Sequence, residues 1–585
     1  MKITKLSLTN FRSFKKTQTI EFAPITLLFG PNSVGKSSVL LSLFYLQEIL
    51  TTGECDVQKI EALDDKYIGG FENLITGRDI DKKIVIKIEY DKAGKIGTTY
   101  AKTFELAELD RSIPQSTLQL QDQAMSTTTV SLEFVIAWSK SKDTAFVERY
   151  SVSLNNEYVG SITSDTGLKN PLLSDLNFFH PLLLPNDHDE WLDDIRHNSD
   201  DYLNSQWEEA MGIAERGMGH EYSDNFSDDG AISKLETELT EQFPIGVKTL
   251  NGALPKSNFI LETNIQTESA TTDIIIMEAL SELFVSPIDN LLNILNQSLC
   301  IGPLRFIPDA LYQQNPHPKQ KDWFHGKAAW DRLGRSETQR SLINSWLHDS
   351  DKLNLGYSLK NKSTVSKHFY SDDESSLATL KQYIEELGDS LSITFSKEDI
   401  DENPDTTNEA IDIGLLKKFI REQETKNAKT LMTADSKVVL WDTHNDIEVT
   451  SSEIGVGISQ VLPLVVAALD TKGGIVSCEQ PELHIHPRVQ VALGDLLMSC
   501  CNDKSFLIET HSEHLILRIL RRIRESHQSP TTALFKPIPP NDVAVLYLEP
   551  TSSGVTVKRL SIDEDGDFED NWPDGFFDER DEELF

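Results

Sequence analysis

Apolar positions change period several times along the chain, and each change predicts a different kind of element. The first six residues alternate, as in a strand, and the run at 25–29, Ile-Thr-Leu-Leu-Phe, reads as a buried strand. Residues 37–44 read as a helix. Three runs at 84–90, 128–134 and 148–154 alternate or carry β-branched residues, and Asn155 and Asn156 follow the last of them as turn formers. They predict antiparallel sheet within the same lobe. Between 164 and 272 the pattern becomes irregular and acidic, as at 187–194 and 222–230, yet it keeps aromatic residues. Short helices joined by mobile acidic connections are expected there. Helical spacing returns over 273–298 through Ile274, Ile275, Met277, Leu280, Leu283, Leu291, Leu292 and Leu295. After a polar tract at 371–374, Leu377, Leu380, Tyr383, Ile384 and Leu387 predict another helix. Residues 474–478 and 506–509 are short buried-strand patterns, and an apolar helix is expected to begin at Val461. No internal repeat and no sustained heptad is present, so a long coiled coil is not expected.

With 585 residues the chain can bury a large core and is expected to form two or three lobes. Its longest apolar stretch, 461–469, is far short of the roughly 20 residues that cross a bilayer. The start lacks a signal-peptide core, so a soluble cytoplasmic protein with no membrane partner is expected. Cys55, Cys300, Cys478, Cys500 and Cys501 form no C-x-x-C pair, which suggests reduced thiols and not a metal site. A formal net charge of -38 argues against a general nucleic-acid coat. Residues 517–524 carry four arginines and are the best local basic candidate, although a solvated helix face is the preferred reading.

Residues 30–37, Gly-Pro-Asn-Ser-Val-Gly-Lys-Ser, fit G-x-x-x-x-G-K-[ST] between a strand and a helix. Gly30 and Gly35 let backbone N–H groups turn inward as a nest for phosphate oxygens, and the helix N-terminus adds positive dipole. Lys36 would reach the β and γ phosphates, while the Ser37 hydroxyl would ligate Mg²⁺. More than four hundred residues later, a buried strand delivers Glu479-Gln480-Pro481-Glu482-Leu483-His484-Ile485-His486-Pro487 at its carboxyl end. Ligands bind at that end of parallel strands, and Glu479 is placed there to hold the same Mg²⁺. His484 and His486 read as structural, because no second ligand cluster accompanies them. Upstream, the glycine-containing stretch 451–460 opens a helix and supplies donors for a second phosphate group. Downstream, the strand ending in Glu509 is followed by His511, positioned to meet a γ-phosphate. The order of these features carries more weight than any one of them.

In this order the motifs resemble an ABC-type ATPase of the RecF/SMC/OLD-like group, with its head split by a long insertion. Residues 30–37 match the Walker A motif, and contacts to ATP are implied for Gly30, Pro31, Asn32, Ser33, Val34, Gly35, Lys36, Ser37 and Ser38. Gly455, Gly457, Ser459 and Gln460 stand in for the signature motif, 475–480 for Walker B, and His511 for the switch histidine. More narrowly, Ile301-Gly302-Pro303-Leu304-Arg305, 455–463, 479–487 and the tail 572–579 are similar to bacterial AAA-type ATPases that include the PtuA-like proteins of Septu and retron-associated antiphage systems. The motifs cover the first 90 residues and roughly 300–330 and 435–585. The expected architecture is an α/β P-loop head with an antiparallel β subdomain and a mostly helical middle lobe. Its divisions fall at 1–163 (Walker A half), 164–272 (acidic insertion), 273–434 (middle lobe), 435–550 (signature, Walker B and switch half) and 551–585 (acidic tail).

The resemblance implies ATP and Mg²⁺ as cofactors, with Ser37 and Glu479 on the metal. It also implies a homodimer or higher even-numbered oligomer, in which Lys36 and Ser37 of one protomer share nucleotide with Gly457 and Ser459 of the other. Glu479, Gln480 and His511 are the expected catalytic set. Most relatives carry glutamate where this chain has Gln480, and an amide cannot accept a proton as a base. Slow hydrolysis is therefore expected unless Gln480 merely orients water or Glu482 or His511 substitutes. No nuclease constellation of its own is legible, and the acidic run 563–570 reads as a solvated tail. An HNH nuclease of the PtuB type is the expected partner, with a retron reverse transcriptase and nucleic acid as further possibilities. A RecF-like DNA repair ATPase is the alternative, against which the negative charge counts; a transporter ATPase fits poorly.

Overall fold

The computed structural model describes residues 1–92, 100, 127–168, 170–177, 180, 245–266, 270–308, 312–333, 336–368, 392–395, 431–449, 455–469, 473–528, 537–570 and 572. The N-terminal alternation becomes an eight-stranded sheet in the order β11-β10-β9-β8-β7-β6-β1-β2. Its strands are β1 (Lys2–Thr9), β2 (Gln18–Glu21), β6 (Ile84–Asp91), β7 (Thr129–Ser139), β8 (Thr144–Leu154), β9 (Glu157–Thr163), β10 (Leu172–Ser174) and β11 (Ile245–Gly246). The three runs read as antiparallel sheet are β6, β7 and β8, paired antiparallel. Along β6, Ile84, Ile86, Ile88 and Tyr90 are fully buried while Lys87 and Asp91 face out, the mark of a sheet with one covered face. Strands β10 and β11 fall at the two ends of the acidic insertion and extend this sheet's edge; 187–194 and 222–230 lie outside the described residues.

The second sheet holds the chemistry. It comprises β3 (Ile25–Phe29), β12 (Leu299–Ile301), β17 (Ile475–Glu479), β18 (Ser505–Glu509), β19 (Val543–Thr551) and β20 (Gly554–Leu560), in the order β12-β17-β18-β3-β19-β20. All neighbours are parallel except β19 and β20. Every residue of β3, β17 and β18 is buried, as continuous apolar runs in a parallel sheet require. Leu28 and Leu507 face a core shared with the eight-stranded sheet and with α1 (Lys36–Thr52). Leu27, Phe29 and Ile508 face a second core with α6 (Val456–Leu469), α7 (Pro487–Cys500) and α8 (Glu513–Gln528). A small hairpin, β4 (Lys59–Ile60) and β5 (Lys66–Tyr67), follows α1.

The periodicity over 273–298 folds as two helices, α2 (Ala270–Phe284) and α3 (Ser286–Gln297), with Pro287 in the first turn of α3, where its missing N–H costs nothing. Helices α4 (Lys327–Arg332) and α5 (Glu337–His348) continue the middle lobe, and the Ser336 side chain caps α5. The lobe also carries a sheet, β14-β13-β15-β16, that the apolar pattern did not announce. Its long pair is β13 (Tyr357–His368) and β15 (Leu431–Asp442), flanked by β14 (Ser392–Phe395) and β16 (Ile447–Val449). Strand β13, with sequence YSLKNKSTVSKH, is mostly polar, so it offers no alternation to read. Strand β15 runs across the expected boundary at 434/435, and the helix expected through Leu377–Leu387 lies outside the described residues. Among the described residues no helix is long and apolar enough to cross a membrane.

In the acidic run at 563–570, Glu564, Asp565, Asp567 and Glu569 are exposed, as expected of a solvated run, but its backbone is docked on the head. Residues 562–568 fold back as a small loop closed by an Ile562–Phe568 bridge. Arg524 on α8 donates to the Asp565 carbonyl at 2.6 Å and to Asp567 at 2.7 Å. The other arginines of 517–524 are also engaged: Arg518 and Arg522 meet Asp495 on α7, and Arg521 meets Glu525. The candidate basic face is thus closed by acids of the same chain. Beyond the loop, the Trp572 ring packs edge-on against Phe29 at 5.3 Å and Phe568 at 5.1 Å.

Candidate nucleotide site

The loop between β3 and α1 requires glycine at two positions. Gly30 has φ of 136°, and a Cβ there would lie 2.4 Å from the Leu548 carbonyl oxygen. Gly35 has φ of 123°, with Ser13 Oγ 2.3 Å from its hypothetical Cβ. Pro31, Asn32 and Ser33 form the exposed rim, while Val34 and Ser38 are buried beneath it. No side chain caps α1, so its first N–H groups are available to an anion. The Lys36 ammonium, almost fully buried, donates to the carbonyls of Gly30 at 2.7 Å and Pro31 at 2.9 Å. Burial lowers its pKa, opposed by the charges of Glu509 and Glu482. A glycine-bounded cradle with a cation folded over it fits a polyphosphate.

Two acids end adjacent strands. Glu479 closes β17 and Glu509 closes β18, and the two are register partners, with strands about 4.8 Å apart. Ser37 Oγ donates to Glu509 Oε2 at 2.8 Å, so the structure joins the expected metal-binding hydroxyl to an acid that the motif reading passed over. Glu479 is 8% exposed, and its carboxylate has no hydrogen bond or ion pair among the described residues. Burial raises the pKa of both acids; Lys66 on β5 pulls Glu479 down, while the Ser37 hydrogen bond and Lys36 pull Glu509 down. Among the described residues no group of three or more His, Cys, Asp or Glu gathers as metal ligands. Ser37, Glu479 and Glu509 instead offer a sparse oxygen set that fits Mg²⁺, an ion that keeps its waters and takes phosphate oxygens.

Gln480 has φ of 46° and its N–H donates to the Glu509 carbonyl at 2.7 Å. Glu482, considered as a substitute base, has both oxygens engaged: Oε1 accepts from the His511 N–H at 2.7 Å and Oε2 from the Thr510 hydroxyl at 2.8 Å. It braces the turn that carries His511. Burial first, then Lys36, lowers the His511 pKa, which favours its neutral form. His484 and His486 are both exposed, and only the second has a side-chain hydrogen bond among the described residues. The His484 carbonyl lies 3.0 Å from where a Gly457 Cβ would sit, and His486 Nδ1 accepts from the Arg488 N–H to cap α7.

The signature stretch needs a correction. Helix α6 begins at Val456, five residues before the expected start, which places Ser459 and Gln460 inside its first turns. Ser459 is fully buried with its hydroxyl on the Val456 carbonyl at 2.8 Å, and Gln460 is 4% exposed. Neither is at the surface; Gly455 and Val456 are exposed and Gly457 is partly so. Against Gln460 lies Arg305, a buried residue in the quoted Ile301–Arg305 motif to which no role was assigned. Its guanidinium donates to the carbonyls of Gln460 at 2.8 Å and Glu479 at 2.9 Å, and to Cys478 Sγ at 3.1 Å. It straps the first turns of α6 to the acid-bearing end of β17. Glu509 was legible in principle, since FLIE ends in an acid just as IVSCE does.

Residues 538–585 match a family described as a protein of unknown function, DUF3696. No curated protein sequence matches the chain. Among solved structures, the SMC head domain from Thermotoga maritima aligns at 8% identity over 96% of this chain and 100% of that one, with a TM-score of 0.33. An Smc head bound to the C-terminal winged-helix domain of ScpA aligns at 9% identity over 96% and 99%, with a TM-score of 0.35. An Smc head with an extended coiled coil, bound to the C-terminal domain of ScpA derived from Pyrococcus furiosus, aligns at 10% identity over 96% of both chains, with a TM-score of 0.32. The assignment rests instead on residues 1–516, which match the AAA ATPase domain family and span both the glycine loop and the two acid-ended strands. The chain is a member of the AAA ATPase domain family.

Proposed function

We propose that the chain is an ATP-gated switch with slow hydrolysis, in which two heads close over shared nucleotide and the closed state controls a partner. The observation that carries it is the pairing of Gln480 after Glu479 with the full engagement of Glu482. The position after the metal-side acid has no carboxylate, and the nearest replacement in its loop is occupied in bracing His511. The nucleotide would be held by the 30–38 loop, Lys36 and Mg²⁺ on Ser37 and Glu479, with His511 beside the γ-phosphate. Pairing of heads is supported by the position of α6, which packs against β12, β17, α4, α5 and α7, on the flank of the sheet away from β19 and β20. Its glycine-bearing N-terminus is exposed, and an uncovered helix N-terminus is suited to a phosphate supplied by a second copy.

The partner read from the motif resemblance is an HNH effector nuclease in antiphage defence. The intramolecular pairing of the α8 arginines favours a protein partner over DNA repair on nucleic acid. Mass photometry of the purified chain tests the pairing. A non-hydrolysable ATP analogue with Mg²⁺ should convert monomer to dimer, and Gly457→Glu should prevent it; a mass that nucleotide leaves unchanged refutes head closure. Copurification of tagged protein from its native host without any nuclease would remove the effector reading.

A further inference from the structure

We infer that Glu509 is a second metal-positioning carboxylate: it sets the Ser37 hydroxyl and shares the divalent cation with Glu479. The inference rests on the nucleotide-switch reading and deepens it. Strand order is the first reason. Strand β18 lies between β17 and β3, so Glu509 stands one strand from the glycine loop's own strand and Glu479 stands two away. In register, Glu509 pairs with Leu28 on one side and Glu479 on the other. The hydroxyl expected on the metal is already bonded to Glu509 and not to Glu479.

The second reason is charge. Glu479 and Glu509 are 8% and 7% exposed, and neither has an ion-pair partner among the described residues. The nearest candidate, the Lys36 ammonium, is directed at the Gly30 and Pro31 carbonyls. Lys66 influences both acids only at longer range, with its ammonium over the Phe324 ring at 5.3 Å from the centroid. Two neighbouring buried carboxylates with no ion pair of their own and only longer-range cations are unfavourable, and a divalent cation between them relieves the conflict. Glu482 cannot fill the role, since its oxygens are taken by Thr510 and His511. An unpartnered, buried Glu479 beside a Glu509 that already holds the metal-side hydroxyl therefore forms a bed for one hard cation.

Mn²⁺ as the probe, read by electron paramagnetic resonance on the full chain with a non-hydrolysable ATP analogue, tests this without reference to turnover. Glu509→Gln should weaken Mn²⁺ binding by about 10- to 100-fold, the range for groups that orient metal ligands. Glu479→Gln should do likewise. Because Glu509 acts partly through Ser37, the double variant Ser37→Ala/Glu509→Gln should bind little worse than the weaker single variant. Fluorescent ATP analogue binding in EDTA should survive Glu509→Gln and be lost in Lys36→Ala. Mn²⁺ affinity within twofold of the parent in Glu509→Gln overturns the inference. Absence of any analogue binding by the parent chain overturns the nucleotide reading itself, and this inference with it. If Glu509→Gln fails to fold, Glu509→Asp decides: a shortened carboxylate should weaken Mn²⁺ binding at least threefold, and no change refutes the role.

Discussion

Replacing Arg305 by alanine should detach the first turns of α6 from the end of β17 while leaving the glycine loop intact. Arg305 is 6% exposed, and its two shortest bonds go to the Gln460 and Glu479 carbonyls at 2.8 and 2.9 Å. Hydrogen bonds from a charged donor contribute about 1.5–3 kcal/mol each, and a buried carbonyl left without a donor costs about 1–3 kcal/mol. These two accounts overlap, so the expected local loss is about 3–5 kcal/mol. The chain has two cores, and a single unfolding free energy is not well defined for it. Amide hydrogen exchange resolves the effect by position instead. Protection at 456–462 and 479–483 should fall by about 10²- to 4 × 10³-fold, at about 1.4 kcal/mol per tenfold. Protection along α1 should change little. Arg305→Lys, which retains one charged donor in place of the fork, should lose less. Uniform loss across the chain, or unchanged protection at 456–462, would refute Arg305 as the strap.

Other perturbations read different parts of the account. Gly35→Ala should abolish nucleotide binding, and adding Ser13→Ala should restore it only in part, since the 2.3 Å clash is removed while the φ of 123° stays strained for any side chain; a fluorescent-nucleotide titration checks both. Asp495→Asn should destabilise the α7–α8 pair by about 3 kcal/mol, because Arg522 and Arg518 lose the buried carboxylate between them, and thermal melting of the variant reads the loss. Burial lowers the His180 pKa from 6.5, so below about 6.5 the unfolded chain takes up a proton that the folded one refuses, and stability falls as pH drops through that window. His180→Gln should melt with a shallower acid dependence below about pH 6.5, as a series of melting curves would show.

Much of the nucleotide site was legible because its residues declare themselves by local pattern. The glycine loop, the acid that ends IVSCE and the histidine shortly after FLIE each sit at the end of a short apolar run, and strand ends are readable from sequence. What was not legible depends on contacts between distant segments. Ser37 and Glu509 are 472 positions apart, and no local pattern could choose Glu509 over Glu479 as the partner of that hydroxyl. Ser459 read as part of a loop because the helix start was placed at Val461, whereas the helix begins at Val456, and the bond from Arg305 to Gln460 spans 155 positions. The acidic run at 563–570 carries one large apolar residue, Phe568, too little to announce docking, and its place is set by contacts with distant segments: Arg524 and His527 on α8, Lys558 on β20 and the second core beneath Phe568. The β13–β15 ribbon was missed because β13 is mostly polar and gives β15 no recognisable alternating partner.

The rate of phosphate release from ATP by the purified chain tests the central claim most directly. With Gln480 in place of a general base and Glu482 engaged, turnover should stay below about 1 s⁻¹, against a typical enzyme median of about 10 s⁻¹. Gln480→Glu should raise it by about 10²-fold or more, the usual contribution of a positioned base. Parent turnover of about 10 s⁻¹ or faster, unaffected by Gln480→Ala, would contradict the switch.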